Sequence, residues 1–243
     1  MKLTVLGCGD AFASEGRFNT SFLLSDTGKN ILIDCGASSL IRLKQVGVSP
    51  LDIETIVITH FHGDHYGGLP FFVISNYVEL KRSEPFTIIG PVGIEKRVME
   101  LQEAMYPGSS QMIDSMGVVF REFEDGLVTE EGDLSVYARM VVHSPDSNPH
   151  GVKVTWRNKV VAFSGDTEWA ESLIDLASDS DVFIIECNNY HKDSPGHLSY
   201  QTILEKRDFF KTKKLLMTHM GSEVINMPDL EIDKLYDGMS LSI

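Results

Sequence analysis

The sequence predicts an α/β protein. Three observations carry that expectation: short β-branched and aromatic runs read as strands, apolar segments of helical spacing fall between several of them, and six of the strands end in a histidine or a carboxylate. Asp34, His60, His143, Asp166, Glu186 and His219 each close or follow such a run. Side chains at neighbouring strand ends on one sheet edge converge on a single cleft although they lie far apart in sequence.

In chain order, residues 3–6 read as a first strand, followed by an irregular loop entered through Gly7-Cys8-Gly9-Asp10 and running past Arg17, Asn19 and Thr20. Residues 21–25 and 30–34 form a hairpin about the turn signal Asp26-Thr27-Gly28-Lys29. Leu40, Ile41, Leu43, Val46 and Val48 then have roughly helical spacing, stopped by Gly47 and Pro50. Residues 56–58 are a buried strand that ends in Thr59-His60-Phe61-His62-Gly63-Asp64-His65. Residues 66–80 contain a helix opened by Gly67-Gly68 and Pro70, and 86–90 are a strand. Residues 91–106 read as an amphipathic helix with Ile94, Val98, Leu101 and Met105 as its core face. Strand character returns at 117–124 and at 134–142, the second ending at His143. Residues 151–156 and 160–164 pair across Arg157-Asn158-Lys159 and lead into Gly165-Asp166-Thr167. A helix over 168–177, a strand over 181–186, a helix over 199–210 and a strand over 214–218 complete the pattern. No internal repeat or linker stands out, so residues 1–243 are expected to form one domain.

Composition narrows the partners. Hydrophobic residues make up 42% and charged ones 23%, an ordinary globular balance. No apolar run is long enough to span a bilayer, and the N-terminus reads as a strand rather than an export signal, which points to the cytoplasm. Cys8, Cys35 and Cys187 are odd in number and widely spaced, an argument against a disulfide framework. The net charge of −14 repels a polyanion at long range and disfavours nucleic acid as a large substrate.

The chemistry concentrates after residue 58. Imidazole nitrogen and carboxylate oxygen are donors that divalent metals accept, and His60, His62, Asp64 and His65 cannot all reach one ion from a regular element. A turn carrying Gly63 would divide them between two. Alone, His143 and His219 would read as structural histidines; their place after strands, together with the central cluster, argues for metal chemistry, whereas Asp34 could simply cap the helix that follows it. Two divalent ions roughly 3.5–4 Å apart share a water, lower its pKa and stabilise the oxygens of an in-line displacement.

His60-x-His62-x-Asp64-His65, with Asp34, His143, Asp166 and His219 following in order, resembles the motif set of the metallo-β-lactamase-fold hydrolases. The resemblance covers nearly the whole chain, down to Tyr236-Asp237-Gly238. It implies an αββα sandwich of two mixed sheets with helices outside. It also implies two divalent metals, zinc first, with manganese or iron as alternatives. His60, His62 and His143 would hold one, Asp64, His65 and His219 the other, with Asp166 bridging and Asp34 orienting a ligand by hydrogen bond. Ile185-Glu186-Cys187 and Gly196-His197-Leu198-Ser199 resemble the glutamate and histidine motifs of the tRNA 3′-end-processing endonucleases (tRNase Z) and related phosphodiesterases, as does Asn19-Thr20-Ser21. The resemblance thus adds Glu186 and His197 to Asp64 as catalytic groups. The tRNA-gripping insertion of that branch is missing, since only Arg157-Asn158-Lys159 joins the strands concerned, and Ala13-Ser14-Glu15-Gly16-Arg17 replaces its Pro-Lys-rich first loop.

The expected function is therefore hydrolysis of a small or cyclic nucleotide-like phosphodiester by a dinuclear metal enzyme, with a metal-bridging hydroxide as nucleophile. The competing classes are lactone or thioester hydrolysis on the same fold, tRNA 3′ processing, and metal binding without turnover. The sequence leaves a homodimer open and assigns no role to His150 or His191, which fall in loops that could border the cleft.

Overall fold

Fourteen strands and eight helices are laid out in a computed structural model that describes residues 1–243. The chain opens with β1 (Lys2–Gly7), β2 (Ser21–Asp26), β3 (Lys29–Ile33), α1 (Ser39–Gln45) and β4 (Ile53–Val57). It continues through α2 (Gly63–Tyr66), α3 (Leu69–Ile74), β5 (Thr87–Pro91), α4 (Ile94–Met105), α5 (Gln111–Ser115), β6 (Val119–Phe123), β7 (Val128–Glu131) and β8 (Leu134–Met140). Then come β9 (His150–Trp156), β10 (Lys159–Phe163), α6 (Ser172–Ala177), β11 (Val182–Glu186), α7 (Tyr200–Lys206), β12 (Leu215–Thr218), α8 (Ser222–Asn226), β13 (Asp233–Lys234) and β14 (Ser240–Ser242).

The strands form two seven-stranded mixed sheets, ordered β14-β1-β2-β3-β4-β5-β6 and β13-β12-β11-β10-β9-β8-β7. Side-chain alternation explains how the sheets layer. Phe22 and Leu24 of β2 enter the core between the sheets, while Leu23 enters the core between the first sheet and its helices. Val182 and Ile184 of β11 do the same on the other side, leaving Phe183 and Ile185 for the second helical layer. Strands buried on both faces are apolar throughout, which is why these runs lack a polar alternation. Phe22 and Phe163 meet edge to face across the sheets, with ring centroids 5.2 Å apart. Three cores separating four layers make an α/β sandwich of αββα type.

Several boundaries depart from expectation. The core face of α4 is Ile94, Val98 and Gln102, not Leu101 and Met105; Met105 is exposed, and Gln102 is accommodated by donating to Ser109 Oγ at 2.7 Å. Strand β8 stops at Met140, three residues short of His143, and Lys159 belongs to β10. The hairpin turn is therefore Arg157-Asn158 alone, both residues with positive φ, the two-residue turn that matches strand twist. Residues 168–171 stay outside the helix expected there, with Glu168 Oε1 engaged by the Gly196 amide. His150 opens a strand rather than lying in a loop, and His191 is surface-exposed beside Glu223. All three cysteines are free and buried; burial first, with Asp237 adding to it, pushes the Cys8 thiol up to about 12. No helix is long and apolar enough to cross a membrane.

Candidate metal centre

The site is built on the ends of β3, β4, β10, β11 and β12, with the β8–β9 loop and the loop before α7. Two strand ends require left-handed backbone at residues other than glycine, Asp34 with φ 59° and His219 with φ 53°, a conformation that persists only where the surroundings hold it. Asp34 is held by Ser21 Oγ, which donates to its carbonyl at 2.9 Å. The His219 amide donates to the Cys8 carbonyl at 3.0 Å.

The hydrogen bonds fix which ring nitrogens are free. Thr59 donates its amide and hydroxyl to the Asp34 carboxylate, leaving its oxygen to accept from His60 Nδ1 at 3.0 Å. His65 Nδ1 donates to Asp34 Oδ2 at 2.6 Å, and His143 Nδ1 donates to the Gly196 carbonyl at 2.8 Å. The Nε2 atoms of His60 and His65 are thereby turned inward as bare acceptors, and both are buried without a partner, as is Asp166 Oδ1. Gly196 has φ 83°, and a Cβ there would lie 2.5 Å from His143 Nδ1, so the close approach needs glycine.

Two donor groups share Asp166, and a third, of Glu186, His197 and His219, adjoins them. His60, His62, His143 and Asp166 form one of the two; Asp64, His65, Asp166 and His219 form the other, with donor atoms in each within 4.8 Å of one another. His143 Nε2 and His62 Nδ1 lie 3.0 Å apart, and His219 Nε2 lies 3.2 Å from both Asp64 Oδ2 and Asp166 Oδ2. Bonds of about 2.0–2.2 Å to a tetrahedral ion place donors about 3.4 Å apart, so these spacings fit divalent metal ions. Asp166 alone belongs to both groups. Electrostatics agree: burial, then the neighbouring imidazoles, holds His60 neutral, the form a ligand needs. Burial opposes charge on His219 as well, but Asp166 and Asp64 outweigh it and lift the ring to about 9. The carboxylates of the second donor group thus favour positive charge on that side of the pocket.

Beside the donors, His197 Nδ1 lies 2.9 Å from Glu186 Oε1. Glu186 is fully buried and also accepts from the amides of Thr167 and Asn188. Burial raises its pKa, with His197 partly offsetting this; His197 is raised too, because Glu186 and Asp166 overcome the effect of its own burial. The His197 ring stacks on His219 at 5.5 Å and meets His143 edge-on at 4.9 Å.

Every site residue expected from sequence is brought to this cleft, Asp34 one ring behind the donors. His150 and His191 are not. Thr59 and Asn188 are the contributors that sequence reasoning missed: Thr59, adjacent to His60, could have been found from its place between strand and motif, whereas Asn188 carried no signal.

A family model described as "Anti-Pycsar protein Apyc1" matches residues 1–228. Ribonuclease Z of Clostridium acetobutylicum is 31% identical over 161 residues, which take in 65% of this chain and about half (52%) of that enzyme's length. Ribonuclease Z of Clostridium beijerinckii is 28% identical over 279 residues, covering 93% of this chain and 90% of the relative. Since 93% of 243 residues is about 226, that relative carries about fifty residues with no counterpart here. Among solved structures, the metallo-β-lactamase fold protein YhfI from Bacillus subtilis superposes with a TM-score of 0.78 at 18% identity, covering 99% of each chain. With this fold, this donor set and a family match over nearly its whole length, the chain is a metal-dependent hydrolase of the metallo-β-lactamase fold and belongs to the Anti-Pycsar protein Apyc1 family.

Proposed function

We propose that the protein hydrolyses a small nucleotide-like phosphodiester, cyclic ones included. The observation that carries this reading is the Glu186–His197 pair beside the donor groups. Phosphodiester hydrolysis expels an alkoxide, and a positioned imidazolium can protonate it. Glu186 fixes the His197 ring through Nδ1 and keeps its proton in place, so that Nε2 is the edge left to serve the departing oxygen. A lactone or thioester hydrolase has no evident use for such a pair.

His60, His62 and His143 would hold one divalent ion and Asp64, His65 and His219 a second, with Asp166 shared and Asp34 orienting His65. Such ions, zinc or else manganese or iron, supply an acidified water and neutralise phosphoryl charge. The core shared by both sheets supports treating residues 1–243 as one domain. A small substrate is supported by the charge of −14, the two-residue turn at Arg157-Asn158, and the roughly fifty residues that the Clostridium beijerinckii relative has in excess. The names of the curated relatives favour a second reading, tRNA 3′ processing.

The test is a panel run on the zinc- or manganese-loaded protein: 2′,3′- and 3′,5′-cyclic nucleotides, bis(p-nitrophenyl) phosphate, a lactone, a thioester and a tRNA precursor. Turnover of the small phosphodiesters that collapses in His197→Ala is the expected result. Turnover of the lactone or thioester alone overturns the proposal, as does metal uptake with no hydrolysis; preferential cleavage of the tRNA precursor supports the second reading.

A further inference from the structure

Phe12 is the most exposed large apolar side chain in the molecule, at 84% against 58% for Tyr236, the next. It lies in the loop that follows β1, and that loop is tied to the site. The buried Asp10 carboxylate accepts from the amides of Phe12 and Ser14, at 3.2 and 2.9 Å, and from Ser14 Oγ at 2.7 Å. The loop is further constrained by left-handed backbone at Ala13 and Glu15. Asn188 Nδ2 reaches Asp10 Oδ2 at 3.5 Å and donates to the His219 carbonyl at 3.3 Å, while its amide donates to Glu186 Oε2 at 3.1 Å. One side chain therefore sets the Phe12 loop in register with both the donor cluster and the Glu186–His197 pair.

Exposing a phenyl ring to water is unfavourable, and fixing the loop beneath it also costs conformational entropy. No aromatic or cationic side chain of the protein covers the ring, whereas the exposed Phe209 has the Lys206 amine 6.0 Å from its centroid. An uncovered aromatic on a loop tied through Asp10 and Asn188 to the donor cluster suits the π face of a heterocyclic base, which any of the bases can present.

We propose that Phe12 is the stacking platform for the nucleobase of the substrate, and so a specificity-determining residue. The proposal rests on the phosphodiesterase reading above. Its test compares 3′,5′-cyclic nucleotides with 1-O-methylribose 3′,5′-cyclic phosphate, the same ester without a base. In Phe12→Ala the preference for the nucleotide over the base-less ester should fall on the order of tenfold, through KM rather than kcat, and Phe12→Trp should restore it. An unchanged preference overturns the proposal, and so does a switch of Phe12→Ala from dimer to monomer with no change in KM. The Phe12→Trp protein also separates the two readings: nucleoside monophosphate should quench its added tryptophan fluorescence. If wild type hydrolyses neither ester, the phosphodiesterase reading fails, while quenching still supports the platform and its absence still overturns it.

Discussion

Strands β1 to β6 and β8 to β13 follow one plan. In each set the first three strands pair antiparallel and the remaining three parallel, and each set turns its second hairpin strand through a two-residue left-handed turn, Thr27-Gly28 in one and Arg157-Asn158 in the other. The two turns touch, with Arg157 reaching Thr27 and Asp26. An aspartate follows the third strand of both sets: Asp34 after β3 and Asp166 after β10. The use of the plan differs. The first half concentrates four donors in the single stretch from the end of β4 through α2; the second spreads His143, Asp166, Glu186 and His219 over the β8–β9 loop and the ends of β10, β11 and β12. The first arrangement is local; the second exists only once the sheet has assembled.

The sharpest test of that comparison is the pair of equivalent aspartates. Asp166→Asn removes the one donor common to both groups. An ion contributes several kcal/mol to the displacement it assists, so losing both should lower kcat/KM on the order of 10^4-fold, with bound metal falling in elemental analysis. Retention of two ions would contradict the shared role. The next largest effect tests the second half alone: His197→Ala should cost about a hundred- to a thousandfold in phosphodiester turnover while metal content stays at the wild-type value.

The difference between the halves also explains what could be read from the chain. The His60–His65 cluster is visible because it is contiguous, and the strands were placed well because their runs are solidly apolar. The duplicated plan was not visible, since the halves share topology and not residues: Asp34-Cys35-Gly36 and Gly165-Asp166-Thr167 have an aspartate in common and little else. Expecting Met105 in the core of α4 followed from hydrophobicity, yet Gln102 lies on the i+4 track from Ile94 and Val98 and is buried there, with its amide nitrogen donating to Ser109 Oγ. Asn188 was beyond reach because its contacts span Asp10, Glu186 and His219, three separate stretches of chain.

Asp34→Asn should have a smaller effect than Asp166→Asn despite the equivalent position. Asparagine tolerates the left-handed backbone and can still accept from Thr59. Its amide nitrogen, however, would donate to His65 Nδ1, forcing the proton to Nε2, the atom turned toward the donors. Affinity for the ion held by Asp64, His65 and His219 should weaken about 10- to 100-fold, with the other ion less affected. Equal weakening of both in a metal titration would show that Asp34 acts on the fold and not through His65.

The smallest effect is a displacement of a pH profile. His197 must carry its proton to serve as the acid, so kcat holds below its pKa and declines as pH rises through it. Burial alone would pull that pKa down; the Glu186 hydrogen bond and charge raise it most, with the Asp166 charge adding to them. Glu186→Gln removes the charge and leaves the burial, so the alkaline decline should move to lower pH. A decline that stays put in Glu186→Gln but vanishes in His197→Ala would keep His197 as the acid and strip Glu186 of its electrostatic part. Its role would then be to fix the ring, as Asp34 does for His65 in the other half.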